Sequence, residues 1–503
     1  MGSDAEFLLD DSDDASSSDS EPPRAPVAES ITQRDSGCGQ GACWTGAAFI
    51  PSSSPAEQEP PPDLPPIEAY MNTCQNTKSF PELNRAFTAP FSLGQAILTE
   101  VSPLPDLDLP ISKTEQAHLM LAYLRGAGTW CETTDSDKHF TVKSIHSMVE
   151  SKAFFAAALS LSSRQLDAIK GRHRQTALEL YQYTIRLLIQ EDPAEADTSI
   201  LATCTLLCVY EMMASSVEDW RRHLKGCAGL LKSRNWSGSS RGIVKSCFWA
   251  FARIDIWAAF TIGQMTLIPT ECWVEHDSIP SVLDIGDVDD YCNLAILIFA
   301  KIVNSLVSNP VSPKSQPRIL TERLWKDLSQ WWKFRPREVC PLMRADATGT
   351  NSPFPVTIFS RSSSICGNTF YHAGSILLLE TGLVKADLMG QDTLTLCRLQ
   401  FDALWHAREL GGISMSNDSH ANWVNHLQPL YIAGRAFANS SHRGRHWGRD
   451  GSLSDTYECS DHVVEDFASE KLALLRHLAR IERETGWKTS ERSAELRNLW
   501  GFA

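Results

Sequence analysis

The sequence predicts an all-α fold: a large body of antiparallel helix pairs preceded by a disordered acidic N-terminal arm. Three observations carry this. From residue 112 onward apolar residues recur at three- and four-residue spacing, the period of a helix face. Alternating β-branched runs joined by hairpin turns are nearly absent. The charge is segregated: residues 1–110 hold 18 acidic and 4 basic residues, which leaves 43 and 42 for the rest. The net charge of −15 over 503 residues therefore belongs to the arm, and the body is close to neutral. A neutral body lacks the basic footprint of a self-sufficient nucleic-acid binder.

Three regions follow. Residues 1–66 contain "DDSDDASSSDSEPP" and "PSSSPAEQEPPPDLPP". Such segments cannot bury enough apolar surface to offset the entropy of ordering. Phe7, Leu8 and Leu9 among acids have the composition of an acidic activation segment. A solvated tail with acid-directed phosphorylation at Ser12 and Ser16–Ser18 is the alternative. Residues 67–111 read as a linker, and residues 112–503 as the helical body. The acidic start "MGSDAEFLLDD" has neither the basic residues nor the apolar stretch of a signal peptide. The apolar runs "ILATCTLLCVY" and "NLAILIFA" are shorter than a membrane span. The 14 cysteines are scattered through apolar segments, as expected for reduced, buried thiols of a cytosolic or nuclear protein.

Ser112 with Glu115 three residues later forms a capping box that opens the first helix, which ends at Gly126 and Gly128. "KAFFAAALSLSSRQL" is a second helix. Ala177, Tyr181, Ile185 and Leu188 make one stripe of a further helix that stops before Pro193. Asp197 caps "TSILATCTLLCVYEMM", and Ser215 and Ser216 break it. Trp220, Leu224, Cys227 and Leu231 form the next stripe, opposite Arg221, Arg222 and Lys225, which are expected in solvent. "IVKSCFWAFARIDIWAAF" is apolar nearly all round, so it is expected between other helices. No repeat of fixed period marks a solenoid.

Chemical motifs are sparse. Phosphate-loop, zinc-protease and nucleophile-elbow patterns are missing from the sequence. "GCGQGA" lies in the arm with no strand before it. Cys204 and Cys208, one helical turn apart, lack a second ligand pair and read as packing. Asp287, Asp289 and Asp290 in "DVDDYCN" resemble a magnesium-diphosphate site, with Asn417 and Asp418 as the facing set. The spacing of that set is wrong, so the acids read as a polar loop ahead of a helix whose dipole they suit. Arg443, Arg445 and Arg449 in "SSHRGRHWGRDG" could grip phosphate but suit a solvated loop. No catalytic, cofactor or metal residues are assigned, and an enzyme is not expected.

The segments "LLCVYEMM…WRRHLKGCAGLL" and "CFWAFARIDIWAAF" resemble the fungal-specific transcription factor domain. This is the helical regulatory region that follows a zinc binuclear cluster in many fungal transcription factors. The likeness extends through "TWCETTDSDKHF", "LWKDLSQWWKFRPREVCPL", "FPVTIFSRSSSICGNTFYHAGSILLL", "ALWHARELGGISMSN", "NWVNHLQPLYIAGRAF" and "RIERETGWKTSERSAELRNLWG", covering about residues 112–503. It marks Glu211, Trp220, His223, Gly226, Arg253 and Asp255 as pattern positions with a structural role. It implies a nuclear regulator of transcription, with partners in the transcription machinery or a related factor, and a homodimer as one form. It also admits a small-molecule effector pocket among the helices. Arg253 and Asp255, two residues apart in an apolar helix, do not face each other, so each is expected to have a partner on another helix.

The sequence departs from the family pattern in its DNA reader. That reader needs six cysteines beginning Cys-x2-Cys in a basic segment. Residues 1–110 hold only Cys38, Cys43 and Cys74, with no Cys-x2-Cys. Either the sequence is a shortened product of its gene, with zinc and DNA contacts in a longer isoform, or the chain regulates without DNA contacts of its own. Residues 440–462 look like extra sequence before the last helices. A protein that sequesters or scaffolds a related factor is the second reading, and a magnesium-dependent all-α enzyme the third. Limited proteolysis of the full chain should trim the arm and leave one large helical fragment. A stable fragment that retains Met1 would contradict the disorder of residues 1–66.

Overall fold

Ser112 opens the first helix as its spacing requires: its Oγ accepts from the Glu115 amide at 3.2 Å, and helix α1 runs Lys113–Arg125. The computed structural model describes residues 108–192, 195–308, 316–349, 352–384, 397–438 and 467–502. The acidic arm, most of the linker and the arginine-rich stretch around Arg443, Arg445 and Arg449 lie outside them. At Gly126 the chain turns against Gln165, whose Oε1 accepts from the Ala127 amide at 2.9 Å. A Cβ at Gly126 would lie 2.5 Å from that oxygen, so any side chain there would displace the Gln165 amide from this bond. A 3-10 segment, Ala127–Glu132, follows.

Next come α2 (Ile145–Glu150), α3 (Lys152–Ile169), α4 (Thr176–Gln190), α5 (Thr198–Ala214), α6 (Val217–Ser233) and α7 (Ile243–Ile262). Helix α3 packs against α4 and α5, and α5 against α6 and α7. Fourteen of the 20 residues of α7 are buried, the outcome of its all-round apolar pattern. It stops at Gly263, whose φ of +62° is the left-handed conformation that closes helices and favours glycine.

The second half contains α8 (Ile279–Ile285), α9 (Val288–Ser308), α10 (Gln316–Lys333), α11 (Ser362–Glu380), α12 (Cys397–Gln400), α13 (Ala403–Ser416), α14 (His420–Ala436), α15 (Ala468–Thr485) and α16 (Ser490–Trp500). Helix α9 is 21 residues long, more than the apolar run "NLAILIFA" suggests, and by length and composition alone could cross a membrane. Its most apolar window is 72% buried inside the protein, which is the behaviour of a core helix. Helix α11 lies against it. Cβ atoms at Gly367 and Gly374 would each come within 3.0 Å of an α9 side chain, Cys292 or Ile302, so the two glycines set the close approach. Helices α13 and α14 pack on α11; α14 also reaches the 3-10 segment, and α15 reaches α3.

One element departs from the all-α expectation. Strands β1 (Met343–Ala345) and β2 (Val356–Ile358) pair antiparallel, Arg344 opposite Thr357. Three-residue strands are too short to leave an alternating pattern in the sequence. The strand pair sits on α13.

The core holds neutral histidines. His406 Nε2 donates to the Gln400 carbonyl at 2.9 Å, so its Nδ1 accepts from His372 Nδ1, also at 2.9 Å. Burial pushes His406 down to about 4 and His372 well below its usual range. The folded value lies below the unfolded one near 6.5. The contribution of the neutral ring is thus full above about 6.5 and is lost as pH falls toward the folded value. The destabilisation caused by His406→Asn should therefore shrink by roughly 2 kcal/mol between pH 7 and about pH 5, read by urea unfolding. A pH-independent difference would show that the ring titrates in the fold as it does in the unfolded chain, and a difference that grows toward low pH would show that it is charged there.

Candidate functional site

The richest polar and aromatic stretch of the sequence is the hairpin of α5 and α6. Asp197 starts it, accepting from the Ser199 and Ile200 amides at 2.9 and 3.0 Å. At the break, the Ser215 amide and hydroxyl donate to the Glu211 carbonyl and Oε2 at 2.9 and 3.0 Å. Glu211 Oε1 lies 3.9 Å from His223 Nε2 on α6, and Tyr181 on α4 hydrogen-bonds the same carboxylate. Tyr181 stacks on Tyr210 with centroids 4.7 Å apart, and Arg164 donates to the Met213 carbonyl at 3.1 Å, satisfying a helix C-terminus. Trp220, Leu224, Cys227 and Leu231 are buried on one face of α6, and Gly226 is half-buried on the same helix. These contacts make a structural joint.

Arg221 corrects one expectation. Instead of standing in solvent beside the exposed Lys225, it is only 6% exposed and donates to Gln264 Oε1 and the Met265 carbonyl at 2.9 and 2.8 Å. The chain leaving α7 returns over α6 and supplies acceptors that the stripe pattern cannot reveal. The side chain of Arg222 lies outside the described residues.

The other candidate chemistry is committed to structure. Cys208 Sγ lies 3.6 Å from Cys227 Sγ, and hydrogen bonding to Cys227 together with burial holds the Cys204 thiol well above its usual range. Asp289 and Asp290 lie in the first turn of α9 rather than in a loop before it. Asp289 accepts from the Ser136 amide and hydroxyl at 2.7 and 2.8 Å, while Lys245 pairs with Asp290 at 2.6 Å and with Asp287 at 3.8 Å. Asn417 bonds the backbone of Thr357, Phe359 and Ile413, and Asp418 pairs with Arg480 at 2.9 Å. Among the described residues no group of three or more histidines, cysteines or acids converges as a metal site would.

Arg253 and Asp255 leave α7 in different directions, as two-residue spacing requires. Arg253 is 5% exposed. Its Nε donates to Asn425 Oδ1 on α14 at 2.8 Å, and its two terminal nitrogens donate to Thr134 Oγ1 and the Cys131 carbonyl at 3.1 and 3.2 Å. The expected partners on other elements exist, but all are neutral. Asp255 departs from the expectation of a partner on another helix. Its Oδ2 accepts from the Leu267 amide at 2.6 Å, because the turn at Gly263 brings that backbone back, and its Oδ1 has no partner. Burial pushes Asp255 up to about 7.

A cleft opens beside Arg253. Trp130, Trp257 and Trp487 form its aromatic wall, and Arg253, Asn425 and Gln428 its polar side. The Trp130–Trp487 rings meet edge to face at 5.5 Å, and Trp257 lies 6.0 Å from Trp487. The cleft is narrow, with a cavity volume of about 30 Å³, room for a water molecule or two. Half-buried Met212, Trp257 and Asn425 stand among its lining residues. Sequence reasoning singled out Arg253 alone among the cleft residues. The only signal for the others is that Trp130, Asn425, Gln428 and Trp487 fall in three segments that carry the family resemblance, "TWCETT", "NWVNHLQPL" and "ETGWKTS".

Residues 134–324 match the family model described as the fungal specific transcription factor domain, in agreement with the resemblance read from the sequence. The chain is also similar to a protein of Alternaria alternata named transcription activator AMTR1. The two are 24% identical over 371 residues, which cover 60% of this chain and 44% of that relative. The chain thus spans less than half of the relative's length. No solved structure matches it.

Asn425 also donates to the Trp130 carbonyl and Thr133 Oγ1, at 3.1 and 2.7 Å. Asn425→Ala removes these bonds and leaves the buried guanidinium short of an acceptor, at a cost of about 2–3 kcal/mol in urea unfolding. Arg253→Met should cost less, because a well-packed apolar chain removes a charge that has no counter-charge. The reverse order of stabilities would show that Arg253 has an ionised partner.

Proposed function

We propose that this chain is a fungal transcriptional regulator acting through its helical regulatory domain in the nucleus. The observation that carries this reading is the match of residues 134–324 to the fungal specific transcription factor domain. The name of the Alternaria relative, a transcription activator, supports it. So does the fate of the candidate catalytic groups. Among the described residues the carboxylates of "DVDDYCN" and the thiols of the hairpin are engaged in contacts within the fold.

A division of labour goes with this reading. The acidic arm, with Phe7, Leu8 and Leu9 among its carboxylates, contacts the transcription machinery. The helical body associates with a related factor or with a second copy of itself. Specific DNA contact by this chain alone is not part of the proposal. The phosphate backbone demands a basic element, whereas the arm is acidic and the body nearly neutral. The three cysteines of residues 1–110 are separated by five and 31 positions, which suits no shared zinc cluster. That spacing also favours the second reading, a partner-binding protein that tunes a related DNA-bound factor.

Two measurements test the proposal. Metal analysis and gel-shift titration of the purified chain at physiological salt should give no stoichiometric zinc and no sequence-selective shift. Two zinc ions per chain would refute the DNA part, and the arginines at 443, 445 and 449 would be the first to mutate. Fusion of the chain to an unrelated DNA-binding module should change transcription of a reporter carrying that module's site, and removal of residues 1–66 should reduce an activating effect. A reporter indifferent to the fused chain would refute the regulatory reading itself.

A further inference from the structure

We propose that a second copy of this chain docks on the free edge of strand β1, the two β1 strands pairing antiparallel about a two-fold axis at Ala345. The inference rests on the reading that the body associates with a second copy of itself, and it names the surface. One edge of the strand pair is closed. The Thr357 amide donates to Ser416 Oγ at 3.1 Å, and the Thr357 carbonyl accepts from Asn417 Nδ2 at 2.8 Å. Both backbone groups of Thr357 thus point away from β1, and the end of α13 covers the outer edge of β2. In an antiparallel pair, residues of this kind alternate with residues bonded to the neighbouring strand. Arg344, opposite Thr357, therefore turns its own amide and carbonyl outward, away from β2.

Among the described residues nothing covers the edge of β1. Residues 342–349 are all exposed, Leu342 by 66% and Met343 by 69%. The register continues past the strand, since Gly349 bridges Ser352, so Ala345 bonds inward and Asp346 outward. The free edge is bounded at both ends. The Leu342 amide turns in to the Ile358 carbonyl at 2.8 Å, and the Thr348 amide to the Ser352 carbonyl at 3.2 Å. Between them Arg344 and Asp346 present main-chain donors and acceptors to solvent. Proteins commonly blunt such an edge with lysine or proline. The stretch "MRADAT" carries neither.

The edge is complementary to itself. With Ala345 on the axis, Arg344 of each copy stands opposite Asp346 of the other, and both outward-facing residues complete their main-chain bonds. Opposite charges then face each other across the strands, which favours the pairing. The neighbouring registers, centred on Arg344 or on Asp346, would set like charges opposite each other. Both charges already stand at this edge: Glu409 on α13 holds the Arg344 guanidinium at 2.5 Å, and Asp346, 86% exposed, pairs with it at 2.6 Å. On the face away from α13, Met343, Ala345, Val356 and Ile358 are exposed, and the pairing joins two such apolar faces in one four-stranded sheet. The small Ala345 side chains meet at the axis, where pairs without hydrogen bonds come closest. So short a pairing gives a weak, concentration-dependent dimer.

The test uses the purified full chain and sedimentation velocity from about 1 to about 200 μM, where a monomer–dimer equilibrium should appear. Asp346→Pro removes an outward N–H where pairing with β2 needs none, and should weaken self-association about tenfold or more with little change in melting temperature. Asp346→Arg, which sets arginine opposite arginine, should weaken it likewise. Ile319→Ser, at an exposed apolar residue of α10, should leave it unchanged. Under copper–phenanthroline in air, Ala345→Cys should give a disulfide-linked dimer above the wild-type level, and Ala347→Cys, off the axis, should give several times less. Three outcomes would overturn the proposal: a monomer throughout that range, a dimer as tight in both Asp346 variants as in the wild type, or no more crosslinking at residue 345 than at residue 347. The regulatory reading is decided by the reporter assay, so the two can fail separately.

Discussion

The fold turns on one guanidinium. Arg253 sits on the most buried helix of the first half, in surroundings too apolar to leave its donors empty. Its acceptors come from the Cys131–Thr134 segment and from Asn425, nearly 300 residues later in the chain. Asn425 completes the knot by donating to Trp130 and Thr133. Helix α7, the 3-10 segment and α14 are therefore held in one geometry by groups that are all neutral except the arginine. Hydrogen bonds of this kind fix orientation more sharply than apolar contact, because they fail steeply with angle.

The same knot shapes the cleft. Arg253 and Asn425 are shared between the structural bonds and the cleft wall. Trp487, supplied by the turn after α15, closes on Trp130 and Trp257. The hairpin of α5 and α6 supports the arrangement from beside, with Val209 and Met212 facing the cleft and Glu211 binding the break.

Acidic and basic groups elsewhere are used in the same economical way. Asp289 fastens Ser136, Asp255 fastens the backbone after α7, and Arg221 fastens the chain leaving that helix. Along the sequence Asp289 resembles part of a metal site and Arg221 reads as solvated, yet each is spent on an irregular segment in the fold. Irregular segments leave amides and carbonyls that helices cannot satisfy, and nearby side chains complete them.

The sequence by itself determined the helices. Ser112, Ser215 and Asp197 mark their boundaries through local hydrogen bonds that need no distant partner. The stripe of Trp220, Leu224, Cys227 and Leu231 and the all-apolar "IVKSCFWAFARIDIWAAF" fix which faces are buried, because burial follows helical period. Only the tertiary structure decided what the polar residues do. Whether Arg221 is solvated, whether the partners of Arg253 are charged, and whether Asp289 is free depend on chain returning from tens to hundreds of residues away. The cleft belongs wholly to that level. Trp130, Arg253, Gln428 and Trp487 have no common period or spacing, and only the folded chain brings them together.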